Sequence, residues 1–304
     1  MDDRISQTRA ELKPASRPVH ATSTLGSRQP GKVTSHAVTC WHALLCAIAV
    51  LNLALWALSA VAVTHGQVAT GVQSGAACQM QLLLSALYVL ACAFRSVLPV
   101  YDAPRIVLVN SRLSSVMVGR SVATAGELCF AAQWALILYR IALLTDSSLG
   151  KAVSLAIVPL IVLAEVCSWH AVLTTEQRGH VLENSIWGLS AALVIVSFLM
   201  IGPHRVAELY PTIIGWCAGG IAYVLFMVLF DVPMYWSRWL SDQRAGRQYL
   251  SVAQGAVDLA RRRVVSRRWE DWKTEILWMS LYFTFGVWSS VSIVYACLTM
   301  GQQH

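Results

Sequence analysis

Charge is scarce in this sequence. Asp, Glu, Lys and Arg make up only 13% of 304 residues, where a soluble domain carries roughly a quarter. With 56% hydrophobic residues beside them, the polar residues could not cover a soluble fold of this length, which excludes that class. Paired cysteine spacing is also missing. The cysteines at 40, 46, 78, 92, 129, 167, 217 and 297 suggest neither a disulfide framework nor a zinc ribbon, and most serve as small helix-packing residues. Cys78 and Cys297 stand apart, since both fall near the outer surface and could form one disulfide, although sequence supplies none of the geometry such a bridge needs. No N-x-[ST] acceptor occurs. A charged start followed at once by an apolar run, the mark of a secretory signal, is absent too. Residues 1 to 40 are polar, contain Pro14, Pro18 and Pro30, and are expected to form a disordered cytoplasmic tail, while Asp2, Asp3 and Glu11 weigh against a mitochondrial presequence.

Several chemistries lack their residues. A retinal Schiff base needs a lysine in the last span, and residues 274 to 298 have none. No N-P-x-x-Y closes that span, and the orientation derived below is opposite to that of rhodopsins and G-protein-coupled receptors. Membrane haem needs facing histidine pairs, and zinc hydrolases need several histidines at short spacing. His36 with His42, and His170 with His180, do not supply either. There is no H-E-x-x-H, G-x-S-x-G, P-loop or G-x-G-x-x-G. The expectation is therefore no cofactor and no metal.

What is present is apolar length. Seven blocks of 18 to 25 residues, near 43 to 64, 78 to 100, 122 to 144, 152 to 173, 185 to 202, 211 to 235 and 274 to 298, are separated by polar breaks. About 20 such residues span a hydrocarbon core roughly 30 Å thick. A transmembrane sheet would alternate apolar and polar residues, whereas Ile157 to Val166 and Ile221 to Phe230 are apolar almost all round. The expected fold is an all-α polytopic membrane protein. It comprises a seven-transmembrane-helix bundle over 41 to 304, with one or two cytoplasmic interfacial amphipathic helices.

Orientation follows from where the basic residues fall. With seven spans, one side holds 19 of the 23 Lys and Arg, including Arg105, Arg112, Arg120, Arg178 and nine between Arg238 and Lys273. The other side holds only Lys151 and Arg205. Lys and Arg in short loops favour the cytoplasmic face, so the N-terminus is expected in the cytoplasm and the C-terminus opposite. The net charge of +7 thus belongs to topology, and no nucleic-acid partner is expected. Trp41, Trp187, Trp236, Trp239, Trp269, Trp272 and Trp278 cluster at the same ends of the spans, where amphipathic rings favour the interface.

The longest loop, 237 to 273, carries Tyr249, Ala253, Ala256, Ala260 and Val264 at helical spacing, followed by Arg261, Arg262, Arg263, Arg267 and Arg268. This pattern predicts a helix on the cytoplasmic membrane surface, its arginines contacting anionic lipid headgroups. In the second loop, Ile106, Val109, Leu113 and Val116 predict a weaker surface stripe. Gly215 and Gly219 form a G-x-x-x-G expected to let a neighbouring helix approach closely.

The residues least at home in lipid are Glu127, Glu165 and Asp231, each predicted in the cytoplasmic half of its span, with Arg95 and His170 at similar depth and Glu183, Asn184 and Glu275 at the boundary. An ionisable group deep in a bilayer costs about 2.5 to 3.5 kcal/mol on insertion scales, so the carboxylates cannot face lipid. Either Arg95 pairs with Asp231 or Glu127 to fix helix register, or the acids line a cytoplasm-facing pocket. Such a pocket would bind or move a proton, a cation or a lipid headgroup, with Glu127, Glu165 and Asp231 as its carriers and Arg95 and His170 tuning them. Two other classes fit the same sequence. One is an intramembrane lipid-modifying enzyme with Glu165 or His170 as general base. The other is a receptor or scaffold subunit acting through its basic loop. Arg140 is predicted to snorkel outward.

Overall fold

Seven helices long and apolar enough to cross a membrane are present in the computed structural model, which describes residues 36 to 70, 76 to 201 and 207 to 301. They are His36–His65, Ala76–Val97, Val116–Leu144, Ser148–Thr174, Arg178–Leu199, Tyr210–Arg244 and Trp269–Met300. The chain is an all-α polytopic bundle, as its apolar blocks require. The tail expected over 1 to 40 lies, up to residue 35, outside the described residues, and 36 to 40 already belong to the first helix.

At the end of the bundle that carries the basic loops, several helices start or end well beyond their apolar blocks. The third starts at Val116 rather than 122, the fifth at Arg178 rather than 185, the seventh at Trp269 rather than 274, and the sixth runs to Arg244 rather than 235. The added turns hold Arg120, His180 and Glu183, all buried, so polar residues that end a hydropathy block continue the helix inside the protein. Ser115 caps the third helix by accepting from the Val118 N–H.

In chain order the elements are α1 (His36–Thr70), α2 (Ala76–Val97), β1 (Val100–Tyr101), β2 (Ile106–Val107), α3 (Val116–Leu144), α4 (Ser148–Thr174), α5 (Arg178–Leu199), α6 (Tyr210–Phe226), α7 (Val232–Arg244), α8 (Val252–Arg261), β3 (Val264–Val265), α9 (Trp269–Leu281) and α10 (Val287–Gly301). Span six is α6 and α7 joined by a π-helical turn, Met227–Asp231. Span seven is α9 and α10 joined by another, Tyr282–Gly286. Pro233 sits just beyond the first π turn, and its missing N–H and crowding ring disturb the hydrogen bonding of the preceding turn. At Gly286 an added Cβ would lie 2.5 Å from the Tyr88 hydroxyl, so only glycine admits that phenol.

Two apolar clusters hold the bundle. Ile137, Leu138, Ile141, Ile157, Ile161 and Phe198 join α3, α4 and α5, while Leu45, Tyr88, Trp272 and Phe283 join α1, α2 and span seven. In lipid such contacts act through close packing rather than transfer from water. Trp272 is therefore not an interfacial ring. It is fully buried, and its Nε1 donates to the Ser266 carbonyl at 2.9 Å.

The loops at the basic end are knitted together. The second loop is not a surface helix. Val100–Tyr101 and Ile106–Val107 pair antiparallel, and Ile106–Val107 pairs parallel with Val264–Val265 of the long loop. Pro104 disfavours helix at the residue before it, and Arg105 turns the chain at φ 60°. Its buried side chain meets Asp258 of α8 at 3.2 Å. Val109 and Leu113 then lie in an irregular stretch with a short 3₁₀ turn, Arg112–Ser114, and Val116 already opens α3.

The surface helix of the long loop is α8, started by a Ser251–Gln254 capping box. It docks on the end of α4 through Gly255, where a Cβ would lie 1.9 Å from the Leu173 carbonyl, and through buried Leu259. The expected stripe of Ala253, Ala256, Ala260 and Val264 stays exposed.

At the opposite end Cys78 and Cys297 form a disulfide, with Cα atoms 5.7 Å apart. The Arg140 guanidinium turns inward to the Cys297 sulfur at 2.7 Å rather than snorkelling out.

Candidate ligand cavity

Helix α3 carries Arg120 and Glu127 two turns apart, hence on one face. Across from that face stand Glu165 on α4 and Glu183 on α5. Arg120 Nη2 lies 2.8 Å from Glu165 Oε2, 3.1 Å from Glu183 Oε1 and 3.5 Å from Glu127 Oε2. All four residues are buried. The Thr124 hydroxyl donates to Glu165, and the Trp169 indole donates to Thr124 at 3.0 Å. His180 Nδ1 lies 2.8 Å from Glu183 Oε2.

The register pair expected of Arg95 is thus made by Arg120, which belongs to α3 rather than to the preceding loop. One oxygen from each of Glu127, Glu165 and Glu183 lies within 4.8 Å of the others. That is a donor set suited to a hard cation, with the Arg120 nitrogen in contact with all three carboxylates.

This cluster borders a cavity of about 820 Å³, inside the roughly 300 to 1,000 Å³ range of small-molecule sites. Toward the basic loops its wall is charged, with Arg95, Asp102, Arg120, Glu127, His180, Glu183, Asp231, Arg238 and Glu275. Deeper, the wall is aromatic, with Phe130, Trp134, Trp187, Phe198, Trp216 and Tyr223. Both π turns contribute, through Met227 and Asp231 on one side and Tyr282 and Phe283 on the other; such turns concentrate at functional sites.

Of the residues singled out from sequence, Glu127, Asp231 and Arg95 line the cavity. Glu165 stands directly behind the wall, bound to Arg120. His170 is on the exposed face of α4, and the histidine that faces the cavity is His180. Asp231 accepts a hydrogen bond from Asn184 Nδ2 but makes no ion pair among the described residues. Arg238 reaches the Tyr101 hydroxyl at 3.4 Å and lies over the Tyr235 ring at 5.5 Å. Arg95 lies over Phe283 at 6.0 Å, its buried Nε without a hydrogen-bond partner among the described residues. At the rim, burial and the nearby Glu275 charge push the Tyr101 phenol up, so it remains a neutral hydrogen-bonding group.

No known protein family, curated protein or solved structure matches the chain. Function has to come from the cavity itself.

Its side wall is informative. Gly215 and Gly219 line the cavity and are exposed, with no atom of the described residues within 4 Å of where a Cβ would stand. Among the described residues they seat no neighbouring helix of this chain, which their spacing suggested. They leave a seam between spans six and seven, bridged by side chains: Trp216 Nε1 donates to Ser292 at 2.8 Å, and Phe226 stacks on Trp278 at 5.6 Å. Phe285, midway along span seven, lines the cavity yet is 61% exposed. The cavity therefore reaches the lipid-facing surface of the bundle.

Proposed function

We propose that this chain binds a lipid-like amphiphile inside its bundle, with the headgroup at the charged end and the apolar part among the tryptophans. The observation that carries this is the joining of both environments in one cavity that opens sideways at the level of Phe285. A proton or inorganic ion would need the carboxylates alone and would leave the aromatic chamber and the seam without use. The intramembrane acids expected to carry a site serve two purposes here. Glu127 and Glu165 hold Arg120, and Asp231, with Glu275 beside it in the wall, meets the ligand.

The charged end lies toward the cytoplasm in this proposal, with the N-terminus on that side and the C-terminus opposite. The split of basic residues supports this. So does the disulfide at the other end, since such bonds persist in oxidising compartments. Exposed Arg261, Arg262, Arg263, Arg267 and Arg268, interleaved with exposed Val264, Val265 and Trp269, would then rest on anionic headgroups of the same leaflet, each arginine contributing about 1 kcal/mol.

The test uses protein purified in a non-ionic maltoside detergent and a single-chain amphiphile brominated in its tail, which quenches nearby tryptophans. Saturable quenching is expected, weakened about tenfold or more by combining Asp231→Asn with Glu275→Gln, because each removes a charged hydrogen-bonding partner. Quenching that never saturates and is the same in the double variant would refute the proposal.

A further inference from the structure

The charges facing the cavity fall into two sets. Arg120 is saturated by Glu127, Glu165 and Glu183, and His180 is taken by Glu183. Arg95, Arg238, Asp231 and Glu275 have no ion-pair partner among the described residues, although all four look into one space. Two guanidinium groups and two carboxylates therefore face the same cavity without direct contact among the described residues, with Arg238 within electrostatic reach of both carboxylates. Unpaired charges in a bundle interior are costly, and they point to a ligand that supplies both counter-charges. A simple cation would be repelled by Arg95 and Arg238, and a simple anion by Asp231 and Glu275.

Building on the proposed amphiphile site, we infer that its headgroup is zwitterionic and carries a phosphate and an ammonium group. Arg95 and Arg238 take the phosphate, for which the planar guanidinium fork is suited. Asp231 and Glu275 take the ammonium, with the aromatic side chains of Trp278 and Tyr282 in the same wall to favour a quaternary ammonium through their ring quadrupoles. The apolar chain then lies in the aromatic chamber, reached through the seam between spans six and seven.

The test compares four probes by tryptophan quenching or by competition with the brominated amphiphile, in the same maltoside detergent. These are a single-chain phosphocholine, an alkyl trimethylammonium, an alkyl phosphate of equal chain length, and phosphocholine without a chain. The zwitterionic amphiphile is expected to bind about tenfold or more tightly than either singly charged one. Arg95→Gln should weaken the zwitterionic and anionic probes by a similar factor and spare the cationic one, with Arg95→Lys restoring part of the loss. Asp231→Asn should weaken the zwitterionic and cationic probes and spare the anionic one.

Tightest binding of the alkyl trimethylammonium, unaffected by Arg95→Gln, would overturn the zwitterion while leaving an amphiphile site. Equal binding of phosphocholine with and without its chain would keep the headgroup assignment and overturn the bilayer origin of the ligand. Failure of every probe to bind would overturn both proposals.

Discussion

Arg120 is held by carboxylates from three helices, its own α3 and the neighbouring α4 and α5. Replacing it by methionine keeps the bulk and strands three buried acids without a cation. Breaking a buried ion pair from one side costs about 3 to 5 kcal/mol, a large part of the roughly 5 to 15 kcal/mol that holds a folded chain together. Thermal unfolding of purified Arg120→Met is expected to show a sharply lowered midpoint and loss of monodisperse protein. An unchanged midpoint would contradict the clamp. The Arg120 and Glu127 pair was legible in the sequence, since residues seven apart share a helix face. It was missed because the hydropathy of the third block rises only near residue 122, which put Arg120 in a loop. His170 and His180 show the opposite limit. Both lie near helix ends, and nothing in the chain said which side of α4 would turn outward.

Among elements, the seam between spans six and seven is the feature that distinguishes this bundle from a closed one. Span seven is secured on its far side by the Cys78–Cys297 disulfide and by α1 and α2, so opening of the seam falls to span six. Gly219 has open space at its Cβ position, and leucine there would fill the gap. Stopped-flow quenching of Gly219→Leu is therefore expected to show slower association of the amphiphile with little change in thermal stability. An association rate equal to that of the unaltered protein would place the entry elsewhere. All seven spans were legible because a membrane imposes their length. The G-x-x-x-G was legible as a motif but not in its use, because the same absence of side chains serves close packing or an opening, and only the neighbour decides. The three-stranded sheet at the basic end was hidden, since the parallel partner of Ile106–Val107 lies more than 150 residues away in the long loop.

At the scale of the whole molecule, charge and aromatic surface are separated along the bundle axis. Acids and arginines gather beside the basic loops, the indole rings lie deeper, and the disulfide closes the far end. That polarity matches an amphiphile lying parallel to the helices with its headgroup level with those of one leaflet. Sequence pointed to acids in one half of the bilayer, but their convergence depended on how far each helix extends and rotates. The most direct test is a structure determined by electron cryomicroscopy in lipid nanodiscs. An elongated density is expected, its head between Arg95 and Asp231 and its tail along Trp134 and Trp216. A cavity closed by collapse of span six onto span seven, or holding only water, would contradict the account.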